Sequence, residues 1–272
     1  MKELLLASRT ALVAVALATF SGPTVAQDDL AAKTQNPIAS MISVPFENTF
    51  DFGAPNGNAW VMNVQPIIPV TVGDWNLVSR IIAPIADAPG GVSLPGNPNP
   101  VGSGRVFGLG DINYSLFVSP ADPGPVIWGV GPSLNFPTAT DSRLGSGKFS
   151  IGPTVVLLTQ PKPWSIGVLM RQLWSVAGQD DRADVSQFMI QPFVNYNLDN
   201  GWYLYSDPAI TADWEASSSQ RWTVPLGGGV GRIFTVGNQP MNVRGGAFYN
   251  VEKPSTAPDW YAKFTVQFLF PK

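Results

Sequence analysis

The chain has 272 residues, of which only 13% are charged, about half the ~25% of an ordinary soluble domain. It contains neither cysteine nor histidine, which excludes disulfides, thiolate and imidazole metal sites, Ser-His hydrolysis and the imidazole base. Of 16 basic and 19 acidic residues, the leader described next takes Lys2, Arg9 and Glu3, leaving 14 against 18 and a net charge of −4; no nucleic-acid partner is expected.

Residues 1–27 read as a secretory signal peptide. Lys2 and Arg9 give a positive start, Thr10–Phe20 is an apolar run, and Thr24–Ala26 is a small-residue cleavage site. The run is too short for a membrane span of ~20 residues. Residues 28–40 read as a short N-terminal periplasmic segment.

From residue 41 the pattern changes to repeated runs of alternating apolar and polar residues. About twelve are read, at 41–52, 59–71, 76–86, 106–119, 125–137, 147–160, 164–176, 186–198, 202–214, 221–235, 240–251 and 259–270. After the leader no stretch approaches the ~18 consecutive apolar residues of a membrane helix. In the last run Trp260, Ala262, Phe264, Val266, Phe268 and Phe270 share one face, and Tyr261, Lys263, Thr265 and Gln267 most of the other. Successive side chains of a strand point to opposite faces, so one face of each run is oily along its length.

The connections alternate in length. Gly73–Trp75, Pro120–Gly124, Pro161–Pro163, Asp199–Gly201 and Gly237–Gln239 are short; 53–58, 87–105, 138–146, 177–185, 215–220 and 252–258 are longer. Tight turns on one side and loops on the other predict an all-β fold, a transmembrane up-and-down antiparallel barrel of about twelve strands over residues 41–272. Lipid offers backbone groups no hydrogen bonds, so the barrel must close. Trp75, Trp164 and Trp202 fall beside short turns, and Trp60, Trp174, Trp214, Trp222 and Trp260 beside long loops, with Trp128 slightly deeper. That is the placement of two aromatic girdles. The implied address is the outer membrane of a Gram-negative bacterium, with membrane lipid, lipopolysaccharide and the barrel assembly machinery as partners.

Five prolines, Pro66, Pro132, Pro153, Pro192 and Pro208, stand at a similar height above the short turns. Each deletes a ladder donor. They predict either a belt of weakened pairing that bends strands or opens a sideways exit, or tolerated bulges without function.

Strand parity makes Glu47, Asp51, Asn63, Gln65, Arg80, Asp111, Asn113, Asn135, Arg171, Gln191 and Asn195 candidate lumen residues, followed by Tyr203, Tyr205, Asp207, Asp213, Arg221, Arg244, Lys263 and Gln267. Lumen side chains set what a channel admits. Both signs of charge occur, and the amides and tyrosines suit neutral or aromatic solutes; the same groups could instead pair across the lumen and close it. The Gly- and Pro-rich loop 86–105 is expected to be solvated rather than folded inward. Asp180, Asp181 and Asp184 lack calcium-loop spacing and read as a solvated charged loop, so no metal and no cofactor is expected. Gly145–Ser150 has Phe149 where a phosphate loop needs Ser or Thr, and Gly227–Gly231 lies inside a strand, so neither string is a nucleotide site.

The stretches "KTQNPIASMISVPFENTFDFG", "IWGVGPSLNFPTATD", "DWEASSSQRWTVPLGGGVGRI" and "PDWYAKFTVQFLFPK", with the whole of residues 144–198, resemble bacterial outer-membrane proteins grouped with the MetA-pathway of phenol degradation. The resemblance covers nearly all of residues 33–272 and implies an outer-membrane transporter admitting small hydrophobic or aromatic solutes; it supplies no motif residues as a site. Barrels of this compartment commonly finish on an aromatic residue, whereas here Phe270 is followed by Pro271 and Lys272. A barrel lipase would need histidine beside serine, so no enzyme is expected, and the rival expectation is a closed structural or surface-interaction barrel.

Overall fold

The computed structural model describes residues 24–90 and 102–271. The leader read from residues 1–27 lies outside the described residues up to residue 23, and so does the middle of the loop 86–105, from residue 91 to 101. A helix, α1 (Thr24–Gln35), precedes β1 (Ile42–Phe52), β2 (Ala59–Val64), β3 (Ile67–Val72), β4 (Trp75–Pro89), β5 (Arg105–Leu109), β6 (Ile112–Pro120), β7 (Val126–Phe136) and β8 (Lys148–Thr159). Then follow β9 (Trp164–Gly178), β10 (Ser186–Asn197), β11 (Trp202–Ser206), β12 (Ile210–Asp213), β13 (Trp222–Val236), β14 (Gln239–Glu252) and β15 (Trp260–Phe270). Three pairs, β2 with β3, β5 with β6 and β11 with β12, each form one interrupted stave, giving a closed antiparallel barrel of 12 strands as the sequence predicts.

Closure is made by the chain ends. β1 pairs with β15 along its whole length, from Ile42 opposite Phe270 to Phe52 opposite Trp260. With this seam every stave has a partner on both sides, the condition for spanning hydrocarbon.

The alternation settles which face goes where. In β15 Trp260, Phe264 and Phe270 are exposed while Lys263, Thr265, Gln267 and Leu269 are buried. In β10 Val194 is exposed while Gln187, Phe193 and Asn195 are buried. Val70, Val130, Leu157, Ile166, Leu204, Leu226 and Val230 carry the oily exterior around the ring. An apolar belt of that extent belongs against lipid. At the short-turn rim Trp75 meets Trp128 edge-on, with centroids 6.1 Å apart, so Trp128 joins that girdle. At the other rim Trp214 meets Trp222 at 5.6 Å, and Phe52 stacks on Trp260 at 4.3 Å.

The prolines coincide with breaks in pairing. Pro66 separates β2 from β3, where Gln65 N donates to Pro45 O (2.9 Å) and Ile81 N to Pro66 O (3.1 Å). Pro132 stands opposite Pro153 across the β7–β8 seam. Pro208 lies in the link 207–209 between β11 and β12. Pro192 faces that link, because the β10 pairs on either side of it are Ile190 with Ile210 and Val194 with Ser206.

The glycine run of β13 has a packing role. A Cβ at Gly231 would run into the Tyr203 ring, and one at Gly229 into Tyr205. Without side chains there, both rings have room against the inner wall.

Val230 lies near the middle of β13 with its side chain outward, and Val236 at its short-turn end. Val230→Arg should therefore cost about 2–4 kcal/mol and Val236→Arg about 0–1 kcal/mol, following the depth dependence of cations on a lipid-facing wall. Urea titration of folding into phospholipid vesicles checks the difference; equal costs would mean that this face does not meet lipid.

Candidate functional site: the lumen

One cavity of about 580 Å³ runs inside the ring, from Thr34, Gln35 and Pro37 at the short-turn end to Ala216, Gln220, Pro254 and Ala257 among the long loops. Of the lumen residues predicted from parity, Glu47, Asp51, Asn63, Gln65, Arg80, Asp111, Asn113, Asn135, Arg171, Gln191, Asn195, Tyr203, Asp207, Asp213, Arg221, Arg244, Lys263 and Gln267 all line it. Tyr205 is buried beside it, with the Arg244 guanidinium 4.9 Å from its ring centroid.

The structure brings part of this set together as a chain of charges. Arg244 donates to Asp207 at 2.8 Å and to Glu47 at 3.1 Å, and Lys263 donates to the other Asp207 oxygen at 2.9 Å. Gln65 extends the chain, donating to Glu47 at 3.5 Å and accepting from Arg80 Nη2 at 2.7 Å. Gln191 Nε2 reaches the Asp207 carbonyl at 3.1 Å. The members come from β1, β4, β10, β14, β15 and two stave interruptions, so no short sequence window contains the network. A second polar group pins the wall: Asn113 Nδ2 donates to Ser133 Oγ at 3.1 Å, and Ser115 Oγ to Ser133 Oγ at 2.9 Å.

Nearer the long loops, Asp111 does a different job. Its carboxylate accepts from Ser146 N (2.7 Å), Ser146 Oγ (2.8 Å) and Ala139 N (3.2 Å), folding the 137–147 connection over the rim. In that connection Asp141 accepts from Arg143 N, Nε and Nη2 at 3.0, 2.8 and 2.8 Å. Those bonds hold its carboxyl well below the usual carboxylate range, so this clasp stays charged through mild acid. Of the acidic cluster at 180–184, Asp184 accepts from Ser175 Oγ at 3.2 Å and pairs with Lys148 at 3.3 Å.

Two features of the lumen are absent from the sequence reading. The first is the N-terminal segment. Residues 28–40, expected to be periplasmic, enter the ring at its short-turn end. Gln35 Nε2 donates to Asn197 Oδ1 at 2.7 Å, and Gln160 Nε2 to the Ala32 carbonyl at 2.8 Å. Ala31, Ala39 and Met41 pack with Tyr203, Tyr205, Ile233, Phe248 and Leu269. The second is an apolar floor, where Ile38 from the same segment packs with Val78, Phe117, Val156, Leu158, Leu169 and Phe193. Phe193 and Met189 belong to the inward row of β10, so parity alone could have placed them, although their apolar character broke the pattern.

The closed ring, oily exterior and polar lumen define a transmembrane β-barrel of the outer-membrane type. No family model matches the chain, and no curated protein matches it by sequence. Solved structures do match in fold. The COG4313 outer membrane channel from Pseudomonas putida F1 matches over 85% of this chain and 94% of its own, with 12% identity and a TM-score of 0.58. The NanC porin matches over 85% of this chain and 100% of its own, with 9% identity and a TM-score of 0.51. At these identities the likeness is one of architecture.

Asp207→Ala removes the carboxylate that Arg244 and Lys263 hold most closely, leaving them Glu47 at 3.1 and 3.9 Å. Breaking a buried ion pair from one side should cost about 3–5 kcal/mol. The double variant Asp207→Leu with Lys263→Met should lose less than the single one, measured by the same urea titration; a single variant within about 1 kcal/mol of the parent would deny the network any bracing role.

Proposed function

We propose that the chain is a passive outer-membrane channel that takes up small hydrophobic or aromatic solutes by diffusion through its side-chain-lined lumen, without nucleotide or metal. The observation that carries this reading is the cavity itself. Its walls combine amides, tyrosine and charges with the apolar patch of Phe117, Leu169, Met189 and Phe193. A solute with an oily body and a polar end meets complementary groups in one space. The resemblance of residues 33–272 to outer-membrane proteins grouped with phenol degradation supports the same solute class. An N-terminal leader, lipopolysaccharide at the outer rim and insertion by the barrel assembly machinery belong to this reading.

A second reading has one specific observation in its favour. The N-terminal segment packs in the short-turn end of the lumen, as a plug would, which suits a closed structural or surface-interaction barrel. Conductance separates the two. The purified barrel in a planar bilayer should give discrete openings, and removal of residues 28–40 should raise the unitary conductance several-fold, since pore cross-section sets flow. Silence from both forms would favour the closed barrel. Uptake of labelled phenol by cells lacking the protein, compared with complemented cells, tests the solute class.

A further inference from the structure

The charge chain leaves Arg171 out. The Arg171 side chain makes no hydrogen bond or ion pair with any described residue, and its Nε is buried without a partner. It nevertheless lines the same cavity as Arg80, whose own Nε is also buried and unpartnered. Two guanidiniums facing one cavity repel each other, and leaving a buried cation uncompensated is costly. Structural use of arginine follows the opposite pattern, as Arg244 shows with two carboxylates.

The wall between the two arginines is built from small residues. Arg80 on β4 pairs with Ser115 on β6, Ser115 with Ser133 on β7, and Ser133 with Gly152 on β8, while Arg171 on β9 pairs with Thr154 on β8. At the paired positions the intervening staves thus present only Ser115, Ser133, Gly152 and Thr154. Two residues nearer the short turns, on the same inward faces, stand Val78, Phe117 and Leu169, with Phe193 and Ile38 beside them.

We propose that Arg80 and Arg171 form a binding site for the head group of a small carboxylate whose apolar body rests on the floor beneath. The guanidinium fork matches a carboxylate in shape and charge. A singly charged head suits the site, because Gln65 already engages Arg80 at 2.7 Å while the Arg171 side chain is unengaged. The ligand class is thus an apolar monocarboxylate, with benzoate as the simplest probe. This deepens the proposed uptake function and rests on it for its physiological meaning, although binding itself does not require an open pore.

The test is calorimetric titration of the detergent-solubilised barrel with benzoate, with phenol as the uncharged analogue and acetate as the head group alone. Benzoate should bind at least about tenfold more tightly than phenol or acetate, as expected for a charge-assisted pair added to apolar burial. Arg171→Gln should abolish that margin and leave phenol unchanged, with Arg80→Gln acting the same way. The exposed Arg105→Gln should do nothing. Circular dichroism and the heat-shifted gel mobility of the folded barrel control for folding. Arg171→Gln without ligand should be at least as heat-stable as the parent, because it removes an unpaired charge.

Benzoate affinity indifferent to both substitutions, or no greater than that of phenol, overturns the site; acetate binding as tightly as benzoate overturns the role of the floor. Conductance without arginine-dependent binding would sink this site and spare the channel. Arginine-dependent binding in a silent barrel would do the reverse.

Discussion

Hydrocarbon cannot satisfy a backbone amide, and that single fact governs this molecule. It forces the first strand to seal against the last, from Ile42 opposite Phe270 to Phe52 opposite Trp260. Closure sends one row of every strand outward to lipid and traps the other row in a narrow interior. The low charge content, the alternation and the two tryptophan rims are all consequences of the same solvent.

Confinement then shapes the lumen. Charges that cannot reach bulk water must find one another, and Glu47, Asp207, Arg244 and Lys263 do so from four staves of the wall. The N-terminal segment packs at the apolar end of the space, where Ile38 joins the cluster of Val78, Phe117, Val156, Leu158, Leu169 and Phe193. What stays unpaired stands out against this economy, and Arg171 is the clearest case.

The barrel was legible because its signal repeats: parity in β15 placed Lys263 and Gln267 inside and Phe264 outside, and each further strand repeated the lesson. Lumen membership followed from the same arithmetic, down to Asp207 and Arg244. Partnership did not, since Asp207 and Lys263 are 56 residues apart and meet across two intervening staves, β13 and β14. The segment at 28–40 carries no period, so nothing in its order of residues said which way it would turn. Nor did the run Gly227–Gly231 announce that its bareness makes room for Tyr203 and Tyr205, because the rings come from a different stave.

The link 207–209 deserves a mechanical reading. Backbone pairing with β10 ends at Ser206 and resumes at Ile210, so the ninth stave is locally unstitched. The Asp207 side chain, reaching Arg244 and Lys263 beyond β13, works there as a strut in place of the missing rungs. Tension in the wall and electrostatics in the bore are geared together at that carboxylate: whatever competes for it also slackens the hoop.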